Sequence, residues 1–154
     1  MKRRGVSDLS RGLVEGTVVV MDLDRFEETV EERGWSRYRP NPATGLMTQL
    51  VELFVSKWHG YVVYGLDEER GTEEVVIEIP YVDPQDLIDD LEYIRRRLSE
   101  LGVGITIVAV KGYVGAVSRS VDRRAAYRAT PTRRLAAKLL RETKRAGGNR
   151  VVIA

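Results

Sequence analysis

The chain contains no cysteine, which excludes a disulfide scaffold, a cysteine-ligated metal site and a cysteine nucleophile. Its longest apolar runs, such as residues 18–21 and 105–110, fall far short of the roughly 20 residues that a membrane-spanning helix needs. The basic residues 1–5 are not followed by the apolar segment of a secretory signal. We therefore expect a cytoplasmic protein without a membrane partner.

Thermolabile side chains are scarce, since the chain has two asparagines, two glutamines and one histidine. Abundant Glu and Arg accompany this scarcity. The combination is typical of hyperthermophilic proteins, in which networks of ion pairs gain value with temperature. A hyperthermophilic source is therefore predicted.

Charge is plentiful but unevenly distributed. Although the formal net charge is only +2, residues 67–100 contain 12 acidic and 4 basic side chains, whereas residues 111–154 contain 2 acidic and 12 basic ones. The densest basic cluster consists of Arg123, Arg124, Arg128, Arg133, Arg134 and Lys138. This cluster predicts either binding of triphosphate or RNA, or pairing with the acidic middle of a second copy of the chain.

Hydrophobic periodicity predicts the element order β-α-β-β-α-β followed by α-β. Three helix starts have a capping residue followed by proline, at positions 41–42, 83–84 and 130–131. Strands are expected at 17–23, 61–66, 75–79, 104–110 and 150–153, and helices at 42–57, 84–101 and 131–146. Residues 24–33 are expected to form a short helix or a turn. The apolar side chains expected to face the core include Leu46, Leu50, Leu53, Phe54, Trp58, Leu135, Leu139 and Leu140. Residues 112–129 show no clear pattern and suggest an arm or an extra helix.

The first six elements have the split β-α-β arrangement of ferredoxin-like domains. We therefore predict an α+β fold, with an antiparallel sheet covered by helices and an additional C-terminal α-β unit. A single domain is expected over residues 17–154, preceded by a lead-in over residues 1–16.

Asp22 and Asp24 end the first apolar strand and, being two residues apart, project to one face. In the predicted topology this strand is antiparallel to the third, which places Asp22 near Glu73 and Glu74. Carboxylates at such a place must be solvated, paired or bound to metal. Two carboxylates with substrate phosphates suit Mg²⁺. A metal site at Asp22 and Glu73 and an ordinary pair of solvated strand-end acids are the two interpretations.

Three segments together resemble GGDEF and related nucleotide-cyclase palm domains. Residues 18–26 (VVVMDLDRF) resemble the opening D-x-D-x-F strand, residues 70–79 (RGTEEVVIEI) the R-x-G-G-D-E-F turn, and residues 144–152 (KRAGGNRVV) the closing A-K-x-x-G-R-N-x-V. The loop at residues 39–42 (RPNP) is similar to that of the archaeal GTP cyclohydrolase III branch. Because that enzyme has two palm-like halves, a single half implies a homodimer.

This resemblance implies a set of site residues. Asp22 and Glu73 correspond to carboxylate ligands of Mg²⁺ or Mn²⁺, with the carbonyl of Leu23 as a backbone ligand. Asp24 and Glu74 are the expected catalytic residues, as helper or base. The substrate is expected to be a purine nucleotide, GTP in particular, and its binding residues are Leu23, Phe26, Asn41, Lys144 and Arg145.

The chain departs from the resembled motifs at two positions. Val30 stands where guanylate cyclases have asparagine, and Gly148 stands where the tail motif has a phosphate-binding arginine. The leading hypothesis is therefore an enzyme that hydrolyses or cyclises a nucleotide with Mg²⁺. Its reaction is expected to differ from that of diguanylate cyclases. A catalytically degenerate domain for nucleotide sensing or dimerisation is the alternative. A ferredoxin-like RNA-binding module with aromatics on its sheet face is a third, which the aromatic content of only 7% disfavours.

Overall fold

The computed structural model describes residues 13–36, 38–115 and 122–154. Most of the predicted lead-in and residues 116–121 of the segment without a clear pattern lie outside these ranges. The described elements are β1 (Val14–Leu23), α1 (Phe26–Arg33), α2 (Pro42–Trp58), β2 (Tyr61–Tyr64), β3 (Glu74–Pro80), α3 (Pro84–Ser99), β4 (Ile105–Val114), α4 (Arg123–Arg128), α5 (Pro131–Arg145) and β5 (Val151–Ile153).

The described strands form one sheet in the order β2-β3-β1-β4-β5. Neighbours are antiparallel except β4 and β5, which are parallel. The predicted α+β fold with an added α-β unit is therefore confirmed, but the sheet is mixed rather than wholly antiparallel. The added unit explains this difference, since a strand that returns after a crossover helix pairs in parallel with the strand before the helix.

β1 is nearly continuous in apolar residues because both faces of the sheet are covered by helices. Met21 and Ile77 face one core, which is built with α1, α2 and α3. Val20 and Val76 face a second core, which is built with α4 and α5. The described sheet thus has no open face on which bases could stack. This argues against the third alternative, an RNA-binding module that stacks bases on aromatics of its sheet.

The helix starts follow the predicted capping pattern at two places. The Oδ1 atom of Asn41 accepts hydrogen bonds from the backbone N–H groups of Ala43 and Thr44, at 2.9 Å each, and the Thr130 side chain accepts one from Arg133 N at 3.1 Å. Asp83 makes no such cap bond and pairs with Lys111 at 3.0 Å. Here the proline at the first helical position is enough to start α3.

Two leucines predicted for the core lie outside it. Leu53 is 69% exposed and Leu135 is 50% exposed. Leu53 belongs to the flank of the apolar stripe on α2, beside a groove that α2 forms with α3, and none of the described elements covers it. Among the described helices, none combines the length and the apolar character needed to cross a membrane.

Candidate functional site at the end of the central strand

The end of β1 is fixed on both sides by the neighbouring strands. Asp22 stands opposite Glu74 in the register of β1 and β3, as the topology predicted. One residue later, Leu23 N donates to Glu73 O at 3.0 Å, and Asp24 N donates to Gly104 O at 2.9 Å. Carboxylates from β1 and β3 therefore meet at one end of the sheet.

The Glu74 carboxylate is held by α4. Both of its oxygens accept from Arg123 Nε at 2.9 Å, and Oε1 also accepts from the Tyr127 hydroxyl at 2.7 Å. Burial and the charge of Glu74 raise the pKa of Tyr127 above its ordinary value, so the hydroxyl stays protonated and donates. No periodic signal marks α4 in the sequence, and these two partners of Glu74 were not predicted.

Lys144, on the last turn of α5, brings an ammonium group into the same place. Its Nζ atom lies 2.8 Å from Asp24 Oδ1, 3.2 Å from the carbonyl oxygen of Leu23 and 3.4 Å from that of Asp22. The carboxylate of Asp22 is farther away, with Oδ2 at 3.7 Å. The lysine that the resemblance assigned to a triphosphate thus contacts carboxylate and carbonyl oxygens here.

Asp24 joins the tail of the chain to the sheet. Besides Lys144, its carboxylate accepts from the Thr106 hydroxyl and from the backbone N–H of Asn149, both at 2.7 Å. The turn that presents this N–H has positive φ at Gly147, Gly148 and Asn149, and a Cβ at Gly148 would lie 2.8 Å from Asp24 Oδ2. The Gly-Gly-Asn segment is therefore explained by a close approach to Asp24.

The Asp22 carboxylate is less well neutralised than those of Asp24 and Glu74. Burial raises its pKa from 3.8 to about 6; the charge of Lys144 lowers it in part, and Glu74 raises it further. Among the described residues, Lys144 is its one ion-pair partner within 4 Å. A partly buried carboxylate with so little compensation has capacity for another cation.

By their chemistry, the side chains of Asp22 and Glu73 and the carbonyl of Leu23 are the groups that would hold a hard divalent cation here, since all three supply oxygen. In this structure the Leu23 carbonyl is contacted by Lys144, and Glu73 is exposed just before β3. No group of three or more metal-ligating side chains occurs in the described parts of the chain. Such a site suits Mg²⁺ in particular, because that ion commonly takes one or two carboxylates together with phosphate oxygens of the substrate.

The other predicted site residues have different surroundings. Phe26 is buried in the core at 9% exposure, and Asn41 uses its side-chain oxygen to cap α2. Glu73 is exposed just before β3, and Arg145 is exposed one residue after Lys144. Five of the predicted residues thus lie together at the end of β1, namely Asp22, Leu23, Asp24, Glu74 and Lys144. Phe26 instead packs in the core, and Asn41 caps a helix.

Comparison with known proteins identifies solved structures with a similar fold. No family model and no curated protein matches the sequence. Solved structures do match, among them a microbial GGDEF domain described with bis-(3,5)-cyclic di-GMP (TM-score 0.57, 18% identity, covering 99% of this chain and 85% of that one). A second is the diguanylate cyclase SiaD from Pseudomonas aeruginosa in complex with its activator SiaC (0.56, 20%, covering 98% and 55%).

A third match is a Csm1–Csm4 cassette in complex with cA4 (TM-score 0.51, 17% identity). The match covers 91% of this chain and 21% of that one. At these identities the likeness concerns the fold. The relation to GTP cyclohydrolase III stays a prediction. The chain has the palm-type fold that is found in GGDEF domains.

Proposed function

We propose that this domain binds a purine nucleoside triphosphate, GTP in particular, together with Mg²⁺ or Mn²⁺, and hydrolyses or cyclises it. The observation that carries the proposal is the Asp22 carboxylate, which is partly buried and poorly neutralised beside the Leu23 carbonyl and within 4 Å of Lys144. A site with fixed oxygen donors and an adjacent flexible cation suits a ligand that brings both metal and phosphates.

Each residue has a distinct part in this proposal. Asp22, Glu73 and the Leu23 carbonyl hold the metal, which neutralises phosphate charge and orients the triphosphate when bound. Lys144 exchanges its contact with the Leu23 carbonyl for a phosphate oxygen. Its long side chain permits this exchange, while the contact with Asp24 keeps the ammonium nearby.

Glu74 and Asp24 serve different purposes in the proposed reaction. Glu74 accepts the proton of the water or ribose hydroxyl as its oxygen attacks a phosphorus atom of the triphosphate, and the P–O bond on the far side breaks to release phosphate or pyrophosphate. This requires Arg123 to turn away from Glu74 toward the phosphates. Asp24, whose carboxylate accepts from Thr106, Lys144 and Asn149, acts as a positioning residue for the lysine and the tail. We assign it this role in preference to that of a base.

A catalytically degenerate domain is the second candidate, and two observations favour it. Val30 is buried at 4% exposure and offers no polar group from α1, and the close packing of Gly148 on Asp24 leaves no room there for an arginine. Such a domain senses a nucleotide or dimerises, with binding but no turnover. The homodimer implied by the single palm half is checked by analytical ultracentrifugation with and without GTP.

Calorimetry with GTP, with and without Mg²⁺, tests the proposal. We expect binding that Mg²⁺ strengthens, a loss of this Mg²⁺ effect in Asp22→Asn, and weaker binding in Lys144→Met at either metal concentration. Asp89→Asn, an exposed position on α3, is the matched control and should bind as the wild type does.

Absence of any affinity for GTP or ATP would overturn the proposal, as would an Mg²⁺ effect that survives in Asp22→Asn. Product analysis of long incubations at high temperature separates the two candidates. A hydrolysed or cyclised product supports the enzyme, and binding without product supports the degenerate domain.

A further inference from the structure

A strongly basic groove runs between α4 and α5 and adjoins the carboxylate site at Arg123 and Tyr127, which also contact Glu74. Its volume is about 790 Å³, and the described residues that line it include five arginines and one aspartate. The arginines are Arg123, Arg124, Arg128, Arg134 and Arg141. Guanidinium groups gathered in this way repel one another, so a groove of this composition favours an anionic occupant.

Internal contacts account for only some of these cations. Arg123 pairs with Glu74, and Arg134 donates to the backbone carbonyl of Arg128 at 2.9 Å. Asp122, the one acid among the described residues that line the groove, caps α4 by accepting from Arg124 N. The groove therefore keeps a large excess of positive charge.

Arg133 shows that the arginines of α5 do not all face the groove. It lies on the same helix but is 3% exposed and pairs with the fully buried Glu78. On α5, Arg133 thus stabilises the core, whereas Arg134 and Arg141 line the groove. Ala137 and Leu140 form its apolar floor.

We propose that this groove binds the phosphate backbone of a single-stranded nucleic acid. Arginine forks match phosphate oxygens in pairs and their planes stack on bases, which is how sequence-tolerant single-strand grooves bind. Arg134 and Arg141 are two turns apart on α5, or about 10 Å along its axis, a length that follows more than one phosphate of a backbone. The groove shares Arg123 and Tyr127 with the surroundings of Glu74. The other four arginines form no ion pair with Asp22, Asp24 or Glu74 in the described structure, so binding at them does not depend on the proposed nucleotide site.

The test measures fluorescence anisotropy with a labelled oligouridine of about 12 nucleotides. For four phosphate contacts we expect the affinity to fall on the order of 50-fold between about 50 and 200 mM salt. The variant Arg124→Glu/Arg128→Glu should weaken binding by at least about tenfold. The control Arg96→Glu/Arg97→Glu makes the same change of charge on α3 and should weaken it less than about threefold.

Several results would overturn the inference. One is that the wild-type protein does not bind the oligonucleotide, and another is that both double variants lose the same amount of affinity. A third is that the wild-type protein is a dimer without oligonucleotide affinity and that Arg124→Glu/Arg128→Glu converts it to a monomer. The last result would assign the groove to a second copy of the chain. Circular dichroism confirms that the variants fold, and GTP calorimetry on them separates failure of the groove from failure of the nucleotide site.

Discussion

Two acidic sites on the same pair of strands differ in how completely they are neutralised. Glu78, in the middle of β3, is fully buried and accepts from the Tyr61 hydroxyl at 2.6 Å, from Gly115 N at 2.8 Å and from Arg133 Nε at 2.9 Å. Asp22, at the end of β1, has one ion pair at 3.7 Å within the described structure. The deeper carboxylate is therefore the better compensated one.

This difference shows that the fold can neutralise a buried carboxylate when the carboxylate is structural. Burial and the bond to Glu78 raise the pKa of Tyr61, so that its hydroxyl remains a donor. Around Asp22, burial raises the pKa of the carboxyl itself to about 6. The charge of Asp22 is therefore incompletely compensated because of its own surroundings, and not because the fold is unable to compensate one. Incomplete compensation of this kind is typical of carboxylates that bind a ligand.

The largest effect is expected from breaking the well-compensated site. Arg133→Met leaves the Glu78 charge buried without its guanidinium, and the free energy of unfolding should fall by about 3–5 kcal/mol. Denaturant unfolding at neutral pH measures this. The double variant Glu78→Gln/Arg133→Met should recover much of the loss because it removes both charges. A single variant as stable as the wild type would show that the pair contributes little.

The poorly compensated site should respond in the opposite direction. Because the pKa of Asp22 is raised to about 6 in the folded protein, its ionisation destabilises the fold: the proton-linked stability is present below the unfolded pKa of 3.8 and is lost as the pH rises to about 6. Asp22→Asn lacks this loss and should be more stable than the wild type at pH 7, by about 1–3 kcal/mol.

Thermal unfolding of the metal-free and ligand-free protein between about pH 4 and 7 measures this difference. The two Tm values should separate as the pH rises, with the variant the higher. Parallel profiles for the two proteins would contradict the comparison, since Asp22 would then be as well compensated as Glu78.

The smallest effect is expected at the partner of Glu74. The Arg123 side chain is 57% exposed, so solvent and salt screen its pair with Glu74. Arg123→Gln should lower the free energy of unfolding by only about 0.5 kcal/mol, and less at high salt. Denaturant unfolding at low and high salt measures it. A loss as large as that of Arg133→Met would show that burial does not govern these pairs.

Local patterns in the sequence were sufficient to predict the order of the strands, the helices other than α4, and the meeting of Asp22 with Glu74. Proline after a capping residue marks helix starts, and the antiparallel central strands bring strand ends together. The partners of the carboxylates were not predictable in the same way. Tyr127 lies on a six-residue helix too short to show a period, and Arg133 is 55 residues from Glu78 on a helix with many arginines.

The exposed leucines illustrate the same limit. Helical spacing assigned Leu53 to the core because it lies near Leu50 and Phe54 on the helix wheel, but within the described ranges that flank is left uncovered. Which side of a helix is covered depends on the placement of distant segments, and a period cannot supply it.

The pairing of β1 has a consequence for how the protein folds. Val14 pairs with Val114 and Leu23 with Ile105, so the central strand obtains its β4 neighbour from residues far along the chain. Contacts of this separation slow folding, because a long loop must close before they form. On the ribosome, the apolar residues 18–21 emerge well before either neighbouring strand, and we expect them to depend on protection from aggregation until β3 and β4 arrive.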